Sequence, residues 1–418
     1  SLGLPERVKQ ELETLNTLEL TPVENPEPEL IYLFKHIVMQ EVAYESLAYA
    51  TRQTLHEQFA DYLEQQNADR FLDLLAFHYS RSANVDKQRL YLQKAGAAAL
   101  ERFANMEAVT YLSDAINITP QDDLTTRYNL YRLREQAYHR QGRREEQERD
   151  IQALIEITDA LDDAEKRAQV MLLQAVYTGS IGDFSTKIQQ IESLVDFAQA
   201  NDLRAIEIQA NLEWGQAAMR VAQYDTAAER LKRALDLEDQ QANARALALR
   251  YLGAVTIRQG DLENAEQYYE SALPIFRQIK NISGEGLVLK DLGNLRFFQG
   301  NWTGAITYYE TALDAFRKVG DRLRESDVLS NMGGAADVGG DITKARRYSE
   351  QALAIKREIA DLSGEGYTLI NLGLFDALQG IYEPSLEYYA QALAVTRKTG
   401  DRNMEALALN NMGIVLHM

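Results

Sequence analysis

The amino-acid sequence predicts an all-α protein made of stacked helix pairs, and three observations carry that expectation. First, small residues recur at a fixed interval of 40 residues: Gly253, Gly293, Gly333, Gly373 and Gly413 form one series. Gly260, Gly300, Gly340 and Gly380 form a second, and Ala272, Ala312, Ala352 and Ala392 a third. A period of that length marks supersecondary units that bury their apolar faces only by stacking. Second, apolar residues between these markers fall at helical rather than strand spacing, as at Leu252, Val255 and Ile257. Third, 418 residues, 45% apolar and with only 7 prolines, suffice for several cores or one elongated stack without an internal flexible linker.

One unit shows how the pattern works. Gly260-Asp261 ends its first helix, since glycine accepts a left-handed backbone and aspartate caps the helix that follows. The second helix carries Ala265, Tyr268, Tyr269, Ala272 and Leu273 to near Ile279. Gly253, Ala265 and Ala272 are small where two helices approach, and Tyr269 and Leu273 are expected to fill the space between units. This order of Leu-Gly, a mid-unit glycine, then Ala, aromatic and Ala resembles the tetratricopeptide repeat in a longer, 40-residue form. The resemblance implies a right-handed α-α superhelix, regular over residues 244–418, whose inner wall is made by the first helix of every unit.

The chain begins differently. In residues 1–34, LPERVKQELETL is expected as a short helix, with Pro5 in its first turn and Val8, Leu12 and Leu15 on one side. Thr17–Leu20 and Glu29–Phe34 are strand-like, separated by TPVENPEP. A lone hairpin is marginal in water, so this stretch is expected to be the trailing edge of another domain. Residues 34–118 carry a second resemblance, at Phe34-Lys35-His36, Ala43-Tyr44-Glu45-Ser46-Leu47, Arg52 and Leu55-His56. They are similar to the region that follows the nucleotide-binding core in bacterial AAA/STAND-type signalling ATPases, the adenylate cyclase-, kinase- or LuxR-type fusions. That resemblance implies a winged-helix-like remnant (a helix plus a β-hairpin) over 1–34 and a helical linker over 35–86. Degenerate repeats then run over 87–243, marked by Gly96, Ala108 and Ala115, by Gly142 and Gly182, and by Gly215, Tyr224, Ala227 and Ala234.

Composition excludes several classes. A net charge of −19 weighs against a duplex-DNA groove binder, which needs a basic face. The absence of cysteine rules out a disulfide framework and a thiolate zinc site, and it suits a reducing, cytoplasmic setting. No apolar run approaches the roughly 18 residues a membrane span needs, and no leader peptide is recognisable. The chain opens on Ser1, so a piece of a longer protein is expected. Gly182-Asp-Phe-Ser-Thr-Lys and Gly340-Asp-Ile-Thr-Lys are too short for a phosphate loop and fall at the repeat's own turn. His36, His56 and His78 lack metal-ligand spacing and are expected to be packed and hydrogen-bonded. No catalysis and no cofactor are expected within this chain.

What remains is a surface. In tetratricopeptide domains that hold peptide ends, the inner wall uses a Lys two residues before Leu-Gly, an Asn after that Gly, and an Asn before Leu-Gly in the next unit. The matching positions here are Lys290, Asn294 and Asn331, with Asn371 and Asn411 continuing the row and Asp291 beginning it. Asn can donate to and accept from a peptide backbone at once, but the same side chains could instead bond neighbouring helices. The pattern departs from a carboxylate clamp in its third unit, where Tyr367 and Asn371 replace two basic residues. Phe297 and Phe298 are adjacent on one helix and point about 100° apart, so one of them is expected to be exposed. The sequence thus points to a protein–protein interaction or effector-sensing region of a larger signalling ATPase. The partner is a protein or peptide segment, the parent's own ATPase domain or a second copy, with nucleic acid and membrane not expected. An independent scaffold, or a fragment of a cyclase or kinase with its catalytic domain upstream, are the alternatives.

Overall fold

Helix follows helix from Ile37 to His417 in the computed structural model of the chain, which describes residues 13–17, 23–25, 31–32, 37–237 and 241–418. Most of the helix expected over residues 4–15 lies outside those residues. Residues 13–17 are helical, so Thr17 belongs to a helix and not to a strand. Two short strands, Val23–Asn25 and Ile31–Tyr32, pair antiparallel with Val23 opposite Tyr32. The second falls inside the expected Glu29–Phe34, but the first falls in the stretch assigned to the turn. β-Branched Val23 favours extended backbone, and Asn25 precedes Pro26, which disfavours the helical conformation.

The chain divides into two compact units, Ser1–Val170 and Met171–Met418. In the first, helices Tyr49–Asn67, Leu72–Tyr79 and Val85–Glu101 share a core that includes Leu75, Tyr79, Tyr91 and Leu92. Tyr79 and Tyr91 stack with centroids 5.1 Å apart, and both phenols donate to Glu64, at 2.9 and 2.6 Å.

The second unit is a run of helix pairs, each with a first helix A and a second helix B. Ala242–Arg258 pairs with Leu262–Gln278, Ile282–Phe298 with Trp302–Val319, Arg322–Val338 with Ile342–Glu358, and Leu362–Leu378 with Tyr382–Thr399. The Leu-Gly glycines are close-approach positions. A Cβ at Gly253 would lie 2.6 Å from the Tyr269 ring, and one at Gly373 2.7 Å from Tyr389. Tyr269 therefore covers the glycine of its own pair, while its core also takes in Leu292 and Leu295 of the next. Ala265, Ala272 and Ala312 are fully buried between helices.

The turns reveal a finer period. Left-handed backbone recurs every 20 residues, at Gly260, Gly300, Gly340 and Gly380 after A helices and at Lys280, Gly320, Ala360 and Gly400 after B helices. The residue that follows caps the next helix: Asp261, Asn281, Asn301, Asp321, Asp341 and Asp361 each accept the backbone N–H three residues on, at 2.8–3.1 Å. Ile381 breaks the series: its side chain has no acceptor, and Pro384, three residues on, has no N–H to offer.

Candidate functional site

Because the A helices repeat, residues at one offset from the Leu-Gly glycine occupy one face. In the second unit four successive A helices, Arg204–Arg220 and the first three named above, line a groove of about 810 Å³. Gln216 and Ala254 enter it from the position after the glycine, Tyr251 from two before, and Arg220 and Arg258 from five beyond. Leu287, Lys290, Arg324 and Asp327 extend the wall into the next two pairs.

This lining is basic in a chain of net charge −19: Arg220, Arg250, Arg258, Lys290 and Arg324 face Asp327. Their states differ. Arg250 is nearly enclosed and its Nε donates to Asp291 at 2.6 Å, while Lys290 Nζ stands 3.9 Å from the same carboxylate. Arg324 is held by Asp321 at 2.6 Å. Arg220 and Arg258 are exposed and make no hydrogen bond or ion pair among the described residues. Asp327 reaches solvent, yet desolvation by the surrounding walls holds its carboxyl above the ordinary range, against the pull of Lys290 and Lys356.

The side chains singled out from sequence are partly brought together. Asn331 Nδ2 donates to Asn294 Oδ1 at 3.2 Å, and the Tyr309 hydroxyl donates to the same oxygen at 2.7 Å. Asn411 stands beside the Tyr389 phenol, and Asn371 is half-buried without a hydrogen bond among the described residues. Lys290 lines the groove, whereas Asp291 is buried and committed to Arg250. Phe297 packs edge-on to Trp302 at 5.2 Å, leaving Phe298 as the exposed member of its pair; Tyr367 is exposed too.

Two further clusters lie elsewhere. A cleft of about 450 Å³ is lined by Gln199, Glu207, Asn211, Arg230 and Arg233. Asn211 sits where the other pairs carry Leu249, Leu289, Leu329 and Leu369, and its buried Oδ1 has no partner. In the first unit His56 and His78 meet through their Nδ1 atoms at 2.8 Å, with the Tyr44 hydroxyl 2.9 Å from His56 Nε2. Burial, then the charges of His56 and Arg81, lower His78 to about 4, and burial with Arg81 lowers His56 as well. Among the described residues no group of His, Asp and Glu converges to hold a metal, and no helix is long and apolar enough to cross a membrane.

Residues 286–358 match one family model of the tetratricopeptide repeat, and residues 212–278 match another. These are tetratricopeptide repeats. Comparison with curated proteins finds no matching relative. Among solved structures, the chain is similar to a signal-transduction ATPase with numerous domains and a tetratricopeptide repeat sensor, from Pyrococcus horikoshii. The identity there is 12% and the TM-score 0.55, covering 95% of this chain but only 60% of that one. It is also similar to a Rap protein complexed with competence and sporulation factor, at 15% identity and TM-score 0.55, covering 84% and 98% of the two chains. The apo quorum sensor NprR from B. thuringiensis gives 11% identity and TM-score 0.57, covering 86% and 99%. At these identities the likeness is one of fold.

Seen as tetratricopeptide repeats, the groove has a simple grammar. Offsets of nine, six, three and two before the glycine, and one and five after it, line the groove. Arg220 and Arg258 stand at none of the positions that match known peptide clamps. Their signal was present in the offset itself, which reads Arg220, Arg258, Phe298, Val338 and Leu378 along the array.

Proposed function

We propose that the second unit is a non-catalytic binding region that takes a peptide or protein segment along the inner wall of its tetratricopeptide repeats. The observation that carries this is the groove of about 810 Å³ lined by A helices of four successive pairs. Its size falls in the range of ligand sites, and its length suits an extended chain better than a compact metabolite. The Rap relative was solved with competence and sporulation factor and NprR is a quorum sensor, which supports a sensing role on this scaffold. Lys290, Asn294, Phe298, Asn331, Tyr367, Asn371 and Asn411 belong to the offsets of that wall and extend it beyond the groove.

The larger reading is an effector-sensing region of a signalling ATPase, with residues 1–34 as the end of a winged-helix-like domain. Likeness to the P. horikoshii sensor supports it. So do Ile37, Val38, Val42 and Tyr49, which expose apolar surface of the kind that docks on another domain.

A displayed peptide library selected on residues 171–418 within the full chain tests the groove. Selected peptides should lose binding to Ala254→Trp, which fills the groove floor, while circular dichroism stays unchanged. Selection of peptides indifferent to Ala254→Trp would place the binding surface elsewhere.

A further inference from the structure

The inner wall changes character along its length, and the change is written in single offsets. Five residues beyond the glycine stand Arg220 and Arg258, and then Phe298, Val338 and Leu378, which are 60%, 53% and 59% exposed. One residue beyond it stand Gln216, Ala254 and Asn294, and later Leu374 and Ile414, both exposed. Equivalent positions on stacked, equivalent helices lie on the same face. At these two offsets the wall therefore carries charge at Arg220 and Arg258 and is apolar from Phe298 onward, while other offsets keep polar groups further along, among them Arg324, Asp327, Asn331 and Asn371. Exposed Phe, Val and Leu at one offset in three consecutive repeats form a ridge, and contiguous exposed apolar surface marks interaction sites.

We propose that the ligand is an extended protein segment with acidic residues at one end and apolar residues at the other, seated in one fixed direction. This rests on the groove reading above and specifies its occupant. The acidic end lies over Arg220 and Arg258, whose guanidiniums have no partner among the described residues and so require no existing ion pair to be broken. Lys290 adds a third positive charge beyond them. The apolar end lies over Phe298, Val338 and Leu378. Neighbouring A helices pack about 8–10 Å apart, so the four steps from Arg220 to Leu378 span about 32–40 Å, or roughly 9–12 residues of extended chain. A long polyanion such as nucleic acid is disfavoured, because beyond the groove it would meet the rest of a chain of net charge −19. A short acidic block meets only the local field.

The test uses the full chain and a labelled twelve-residue probe with glutamates in its first half and leucine and phenylalanine in its second. Controls are an all-glutamate peptide, a scrambled peptide of the same composition, and a twelve-nucleotide single-stranded DNA. The block peptide should bind at least tenfold more tightly than any control. Arg220→Glu with Arg258→Glu should weaken it more than tenfold, and added salt should no longer weaken the binding that remains. Phe298→Ser with Leu378→Ser should weaken it severalfold and leave the salt dependence intact. Equal binding of block and scrambled peptides, or tighter binding of the DNA, overturns the proposal. If library-selected peptides bind through Ala254 but are neutral and indifferent to Arg220→Glu, the acidic–apolar occupant fails while the groove reading stands. If no peptide depends on Ala254, both fail.

Discussion

Arg317 Nε donates to Glu325 Oε1 at 2.8 Å, joining the end of one B helix to the first turn of the next A helix. The same eight-residue pairing recurs at 2.7 Å in Arg277–Glu285, Arg357–Glu365 and Arg397–Glu405. In the degenerate pair Gln199 replaces the arginine and donates to Glu207 at 2.8 Å. The pairing is a clip between successive repeats, and its environment varies along the array.

That variation predicts a ranking. The Glu325 carboxylate is only 5% exposed and also accepts Arg322 at 2.6 Å, whereas Glu405 is 30% exposed. Glu325→Ala should cost about 1.5–3 kcal/mol, as for a buried charged hydrogen bond. Glu405→Ala should cost less than about 1 kcal/mol, as for a surface pair. Urea denaturation midpoints compare the two directly, and equal losses would show that burial does not govern the clip.

Ala360 has φ +57° where Gly320 and Gly400 occupy the equivalent turns. A Cβ in the left-handed region is strained, although alanine restricts the unfolded chain more than glycine does. Ala360→Gly should therefore stabilise by about 0.5–1 kcal/mol, and Gly320→Ala should destabilise by a similar amount. Thermal melts of the two variants test the sign, and parallel shifts would contradict the turn geometry.

Asn211 is fully buried at a leucine position and leaves one amide oxygen unpaired. Leucine branches at Cγ as asparagine does, stands at this position in the other pairs and has no polar group to satisfy, so where the adjoining cleft accepts its larger methyls Asn211→Leu should stabilise by about 1–3 kcal/mol. A loss of stability instead would show that the amide is satisfied by bound water or ligand in the neighbouring cleft.

His78 should titrate near pH 4, well below the ordinary value of 6.5. Its folded value is depressed, so the unfolded chain binds more protons between these limits. The stability contributed by neutral His78 is therefore complete above about pH 6.5 and is lost as pH falls toward 4. Because the ring is only partly buried, the contribution is about 1 kcal/mol after solvent screening. The imidazole proton resonances of His56 and His78 should show the low midpoint, and His78→Gln should flatten the first unit's stability over that window. A midpoint near 6.5 would mean that the His78 ring is not buried against His56.

The forty-residue array was legible in the sequence because backbone geometry and close packing leave few substitutes. Gly253 and Gly373 lie under tyrosine rings where no Cβ fits, and Gly260 and Gly340 sit at positive φ. Lys280 and Ala360 hid the finer twenty-residue period, because tertiary packing holds them in a conformation their side chains do not advertise. The hairpin's position slipped for a related reason: a short strand depends on its partner more than on its own residues.

At the inner wall the sequence by itself determined which residue types recur at which offset. Only the tertiary structure decided their availability. Asn294 and Asn331 read alike as ligand-binding amides, but stacking turns them toward each other and Tyr309. Asp291 looked like the start of a polar row and is buried against Arg250 instead. Arg220 and Arg258 remain unpaired among the described residues. The physical reason is that periodicity assigns a side chain to a face, whereas its hydrogen-bond partners come from helices about forty residues away, whose approach is set by how the repeats stack.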